Sequence, residues 1–159
     1  EIKLTQGKVA LVDDEDFERV NQYKWCAAYI NHRNLFTALR TAKEGQIKKT
    51  IYMHRFIMNA KEINVQVDHI NCNTLDNRKK NLRLCSSSEN NRNTRKRKSN
   101  KSGYKGVFYH KLMQKFTAKI CLNYHIISLG YFDSPIEAAK AYNTKALELH
   151  AEFARVNEI

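Results

Sequence analysis

The 159-residue sequence contains no apolar run approaching the roughly 18 residues of a membrane-spanning helix, and its mean hydropathy is −0.64, which excludes a helical membrane protein. Its first residues, Glu1-Ile2-Lys3-Leu4, offer no basic segment followed by an apolar core, so no secretion signal is expected, and with no Met in first place the natural start is expected upstream. None of the four cysteines (Cys26, Cys72, Cys85, Cys121) forms a C-x-x-C pair, the usual half of a structural zinc site, and they read as reduced thiols of a cytosolic protein. Acid is absent from Asn90 to Phe132, a stretch that carries Arg92, Arg95, Lys96, Arg97, Lys98, Lys101, Lys105, Lys111, Lys115 and Lys119. Apolar residues are absent from Asn90 to Gly103, so this stretch cannot bury surface and reads as a linker between two folded parts.

What is present points to a polyanion. There are 28 Lys plus Arg against 16 Asp plus Glu, a formal net charge of +12. A basic run without compensating acid repels itself, and phosphates relieve that repulsion. Hydrophobic residues make up 42%, enough for one ordinary core or two small ones.

The pattern predicts an α+β chain. Lys8 to Val12 reads as a short strand, and Asp13 to Val20 as a helix whose acids sit at its dipole-positive start and are expected to be solvated. Trp25 to Tyr29, Leu35 to Arg40 and Gln46 to Tyr52 are strand-like, and His54 to Met58 is a candidate short helix. Beyond the linker, Lys105 to Tyr109, Lys115 to Leu122 and His125 to Leu129 read as a three-stranded meander. Ser134-Pro135-Ile136-Glu137 then opens a helix with its N-cap Ser, N1 Pro and N3 Glu.

The centre of the chain carries the chemistry. Val65-Gln66-Val67 leads into Asp68-His69, a polar loop follows from Asn71 to Asn77, and Asn81-Leu82-Arg83-Leu84-Cys85 returns antiparallel. Ser86 to Ser88 cap a short helix bearing Glu89, Asn90 and Asn91. Phosphodiester cleavage needs a base to activate water and a cation to stabilise the developing charge. A His titrates near neutrality and suits the first role. A carboxylate with an amide oxygen forms a hard ligand pair suited to Mg²⁺. A further Asn beside the His ring decides which nitrogen is basic.

Asp68-His69, Asn77-Arg78-Lys79-Lys80-Asn81-Leu82 and Glu89-Asn90 together resemble the HNH endonucleases, specifically the phage and intron homing branch, over residues 54–91. The resemblance implies a ββα-metal unit with His69 as general base, Asn81 orienting it and bracing the loop, and Asp68 and Asn90 as ligands of one Mg²⁺ (or Mn²⁺). His54 falls on an earlier family position and reads as structural support. Cys72 stands where the family often has Gly or Asp.

The end of the chain is similar to the AP2 DNA-binding domain. Tyr104-Lys105-Gly106-Val107, Lys115-Phe116-Thr117-Ala118-Lys119-Ile120 and Leu129 to Asn143 carry that likeness, while Cys121 and Ser128 stand where Arg and Trp read DNA in the plant domains. Lys105, Tyr109, Lys111 and Lys119 are the expected strand contacts, and Phe116 and Tyr131 the expected core.

The domains expected are therefore 1–91, an N-terminal β-rich module leading into the ββα-metal nuclease unit; 92–102, a basic linker; and 103–159, an AP2-like three-stranded antiparallel sheet with a helix. The reading is a metal-dependent DNA endonuclease of homing type. It is expected to be encoded by a phage, intron or other mobile element and to act in the cytoplasm on host or viral DNA. Its partner is double-stranded DNA, bound as a monomer or weak dimer, with no membrane and no small-molecule cofactor. The alternatives are a DNA-binding regulator whose HNH scaffold does not cut, and an enzyme acting on RNA, whose phosphates attract the same charge.

Overall fold

The structure, a computed structural model, describes residues 1–31, 34–97 and 99–159. The chain divides into two compact units, Glu1–Ser87 and Ser88–Ile159.

The first unit opens with a small antiparallel pair, β1 (Ile2–Lys3) and β2 (Val9–Ala10), followed by helix α1 (Asp14–Asn21). Strands β3 (Cys26–Ile30), β4 (Leu35–Glu44) and β5 (Ile47–Tyr52) form an antiparallel sheet in the order β3-β4-β5. β4 outruns β3, whose pairing stops at Leu39, so residues 40–51 continue as a two-stranded arm closed by a turn at Gly45 (φ 63°). A short helix, α2 (Met53–Ile57), follows directly. The hairpin β6 (Gln66–His69) and β7 (Leu82–Cys85) completes the unit.

One core serves all these elements. Ile2, Leu4, Ala10, Val12, Val20, Trp25, Ala27, Ala38, Met53, Ile57, Val67 and Leu82 are buried against one another. Burial of Met53 and Ile57 fixes α2 on the sheet, and Val67 and Leu82 fix the hairpin beneath it. Asp14, Glu15 and Glu18 of α1 are exposed, in keeping with a solvated helix start, but Asp16 is not. Asp16 is 3% exposed and pairs with Arg19 (2.6 Å) and Lys79 (3.2 Å), and Glu15 also meets Lys79. These acids face basic side chains from elsewhere in the unit, which contiguity in sequence does not reveal.

The second unit begins with most of helix α3 (Ser87–Arg92). Part of the expected linker is folded onto this unit: the Asn100 side chain donates to the Tyr104 and Val107 carbonyls (2.8 and 3.2 Å), and Ser102 Oγ donates to Val107 O (2.8 Å). Polar side chains bonding backbone replace the apolar residues that segment lacks. Strands β8 (Val107–His110), β9 (Lys115–Leu122) and β10 (His125–Phe132) form an antiparallel sheet in the order β10-β9-β8, covered on one face by α4 (Pro135–His150). Ser134 and Glu137 form the expected capping box. Gly106 (φ 76°) lies so close to the Tyr142 ring that a Cβ would sit 2.2 Å from it, so the helix reaches the sheet only over glycine.

A β-bulge between Ser128 and Tyr131, at Gly130 (φ 115°), shifts the register of β10. Phe116 packs in the core as expected, but Tyr131 does not. It pairs with Thr117 on the face away from α4 and is 48% exposed, because the bulge flips it.

Candidate active site

The β6–β7 hairpin places Asp68 opposite Arg83 and His69 opposite Leu82. Alternation along β6 sends Val67 and His69 to one side and Asp68 to the other. Asp68 is 5% exposed and its Oδ2 accepts from Arg83 Nη2 (2.7 Å) and Nε (3.0 Å). The guanidinium offsets the cost of burying the carboxylate.

Between the strands, the polar loop is held almost entirely by its own asparagines. Asn71 N–H donates to Asn81 Oδ1 (3.0 Å), and Asn81 Nδ2 donates to Asp76 O (2.8 Å). Asn73 N–H donates to Asn71 Oδ1 (2.7 Å), and Leu75 N–H to Asn73 Oδ1 (3.2 Å). Asp76 takes a two-pronged pair from Arg78 (2.7 and 2.8 Å) and a bond from Asn71 Nδ2 (3.1 Å). The Arg78 bond, above all, holds the Asp76 carboxyl below its usual range. Cys72 adopts φ 58°, the left-handed region that glycine enters freely, which accounts for the residue type expected there.

The loop is also bolted to the start of the chain. Leu11 N–H donates to Leu75 O, Asn77 N–H donates to Leu11 O (both 2.8 Å), and Lys79 N–H donates to Asp13 Oδ2 (2.6 Å). Asn77, 1% exposed, is thereby set with its Oδ1 3.2 Å from His69 Nε2. With Nε2 carrying the proton and donating to Asn77, the basic lone pair is on Nδ1.

His54 packs edge-on against the His69 ring at 5.1 Å between centroids, and Tyr52 stacks on His54 at 5.5 Å. Burial first, then the charges of His69 and Arg55, push His54 down to about 3, so it is a neutral wall. His69 is also lowered. Burial is the dominant cause, opposed by the Asn77 hydrogen bond and the Asp68 and Asp76 charges. A neutral imidazole at neutral pH is the form able to accept a proton. Arg55 contributes from the other side of α2, donating to Val65 O (2.6 Å), Ala60 O (2.8 Å) and Glu62 O (2.7 Å), and so anchors the approach to β6.

Asp68, His69 and Asn81 thus all belong to the first unit, but Asp68 lies on the opposite side of β6 from His69, paired with Arg83. Asn81 braces the loop, while the side chain bonded to the His69 ring is Asn77. Asn90 lies on α3 within the second unit. Arg92 is half-buried at the end of α3, and Arg95, Lys96, Arg97 and Lys101 are exposed; Lys98 lies outside the described residues. Lys105 donates from its ammonium to Arg92 O. Tyr109 is half-exposed and touches Phe116 edge-on, on the α4 side of the sheet. Lys111 is exposed in the β8–β9 turn, and Lys119 is exposed on the opposite face. Those four therefore share no single face.

Sequence reasoning did not single out Asn77, Arg55, Arg83 or the Leu11–Asp13 anchor. Asn77 opens the motif segment Asn77 to Leu82, but its place at the His69 ring shows only in its burial and its hydrogen bond. Among the described residues no group of three or more His, Cys, Asp or Glu is placed to hold a metal ion.

Residues 52–92, about a quarter of the chain, match the family described as HNH endonuclease, and the match supports a nuclease activity. An uncharacterized HNH endonuclease of Acanthamoeba polyphaga mimivirus is 29% identical over 167 aligned residues, spanning 97% of this chain and 77% of that protein. No solved structure matches the chain. No helix among the described residues is long and apolar enough to cross a membrane.

Proposed function

We propose that the chain is a divalent-metal-dependent DNA endonuclease of homing type, in which His69 activates the attacking water. The observation that carries this reading is the buried, neutral His69 ring, fixed by Asn77 and walled by His54 at the end of β6. His69 takes a proton from water as it attacks the phosphorus, and Asn77 and His54 hold the ring in the plane that transfer requires. Asn81 keeps the loop closed so that Asn77 stays in place.

The donor set of Asp68 and Asn90 fits a hard divalent cation, Mg²⁺ or Mn²⁺, one per site. When bound, that ion stabilises the charge developing on the phosphate and the departing oxygen. Arg83 pairs with the Asp68 carboxylate (2.7 Å) and fixes its position. One site per chain makes a single-strand nick the simplest product.

The second unit supplies targeting in this reading. Its three-stranded sheet leaves one face uncovered, with Lys119, Phe108 and Tyr131 on it, and the basic stretch from Arg92 to Lys101 tracks phosphates. Joined contacts on one duplex raise affinity through effective concentration. The viral source of the relative supports a mobile-element origin.

The test is conversion of supercoiled plasmid to open circle with Mg²⁺, wild type against His69→Ala. Loss of nicking in the variant, with metal binding lost in Asp68→Ala, is the expected result. Equal nicking removes His69 from the mechanism. A protein that shifts DNA in gels yet fails to cut whichever divalent ion is supplied is a regulator on a nuclease scaffold.

A further inference from the structure

The two-stranded arm of β4 and β5 carries charge in an arrangement that its own stability disfavours. In the register of the arm Thr41 pairs with Thr50 and Lys43 with Lys48, and alternation puts all four on one face together with Tyr52, opposite Leu39. Lys43 and Lys48 are both exposed and directly opposite, an unfavourable cross-strand pair. Neither makes an ion pair among the described residues. The single acid of the arm, Glu44, falls on the other face, opposite Ile47. Lysine is a common guard against edge pairing, but a Lys–Glu pair would guard equally well and stabilise the arm. Two lysines facing each other await an anion.

The same face leads to the catalytic ring. Tyr52 stacks on His54, and His54 packs on His69. From Tyr52 out to Lys48 is four residues of strand, about 13 Å at roughly 3.3 Å per residue. Hydroxyls at Thr41 and Thr50 fill the middle of that path, and they donate hydrogen bonds to phosphate oxygens without reading bases. We propose that this face, Tyr52–Thr41/Thr50–Lys43/Lys48, is a phosphate track that holds the DNA strand leading away from the bond cut at His69. The inference rests on the nuclease reading for its choice of partner, a DNA duplex, and adds a contact surface within the catalytic unit itself.

The experiment measures binding of the full chain to a fluorescent DNA duplex by anisotropy across a salt series, in the His69→Ala background without divalent metal, so that cleavage plays no part. Lys43→Gln with Lys48→Gln should weaken binding and make the slope of log affinity against log salt shallower by about 1.8, two phosphate contacts at ~0.9 each. The comparison pair Lys24→Gln with Lys61→Gln, exposed lysines outside this face, removes the same net charge and should leave the slope unchanged. The urea midpoint of the arm variant, followed by fluorescence of the single Trp, should stay level or rise as the repulsion disappears. An unchanged slope overturns the track, as does an equal change in the comparison pair, or a change seen only with an RNA duplex. Plasmid nicking by the otherwise wild-type chain is scored separately. Nicking with an unchanged slope refutes the track alone, and a shallower slope without nicking supports the track while refuting the nuclease.

Discussion

The neutral wall at His54 sets a measurable limit on stability in mild acid. A histidine held at about 3 in the folded chain binds its proton far more weakly than the same residue unfolded, near 6.5. Stability is therefore complete above about pH 6.5 and falls as pH drops toward 3. Between about pH 7.5 and pH 5 the difference in proton binding corresponds to about 1.5 pH units, or about 2 kcal/mol. His69 is lowered too and adds loss of the same sign over the same interval. This window lies above the carboxylate range, so histidine dominates it. The single tryptophan, Trp25, is 3% exposed in the core of the first unit and reports its unfolding in urea. Wild type should lose more than about 2 kcal/mol between the two pH values. His54→Phe keeps an aromatic ring against His69 and Tyr52, and forfeits no bond at Nδ1, which has no hydrogen-bond partner. Its loss should be smaller by about 2 kcal/mol. Equal pH dependence in both proteins would refute the reasoning, because the penalty would then not come from burying an ionisable ring.

Asn77→Ala removes the acceptor at His69 Nε2 and should lower kcat for nicking by about 10- to 100-fold with duplex affinity unchanged, the separation expected of a positioning group. Arg83→Ala removes the guanidinium paired with the buried Asp68 carboxylate and should cost about 3–5 kcal/mol by the same urea assay. Added Mg²⁺ should recover part of that loss, because a cation at Asp68 replaces the missing charge. Cys72→Gly relieves a left-handed backbone at φ 58° and should raise stability by about 1 kcal/mol, read as a higher urea midpoint at unchanged slope.

How much of this was visible in the sequence depended on whether a residue's role is local. The capping box at Ser134–Glu137 was legible because an N-cap acts within one turn. Asp68 and His69 at a strand end were legible because their order along the chain is their order in space. The partner of the His69 ring was not. Asn77 reaches it only because Leu11, 66 residues earlier, bonds the backbone on both sides of Asp76. Asp16 misled for a related reason, since a residue within a contiguous acidic run reads as solvated until Lys79 is brought to it. Tyr131 misled because a single bulge reverses the alternation on which a core assignment rests.

The same long-range ties mean that the matched segment is not a self-sufficient nuclease. Residues 52–92 contain Asp68, His69, Asn77, Asn81 and Asn90, yet of the buried core of the first unit they supply only Met53, Ile57, Val67 and Leu82. The other eight core residues come from Ile2 to Ala38. The site loop loses its bonds to Leu11 and Asp13 in the isolated segment, and Asn77 loses the backbone anchor that aims it at His69. Four apolar side chains, at about 1.5–3 kcal/mol each when fully buried, cannot offset about 1–2 kcal/mol of backbone ordering for each of some forty residues. A peptide of residues 52–92 should therefore show a coil spectrum by circular dichroism and no nicking, even with millimolar Mg²⁺, while the full chain cuts. A folded, active peptide would show that the ββα unit orders its own loop and that the anchoring at Leu11 and Asp13 is incidental.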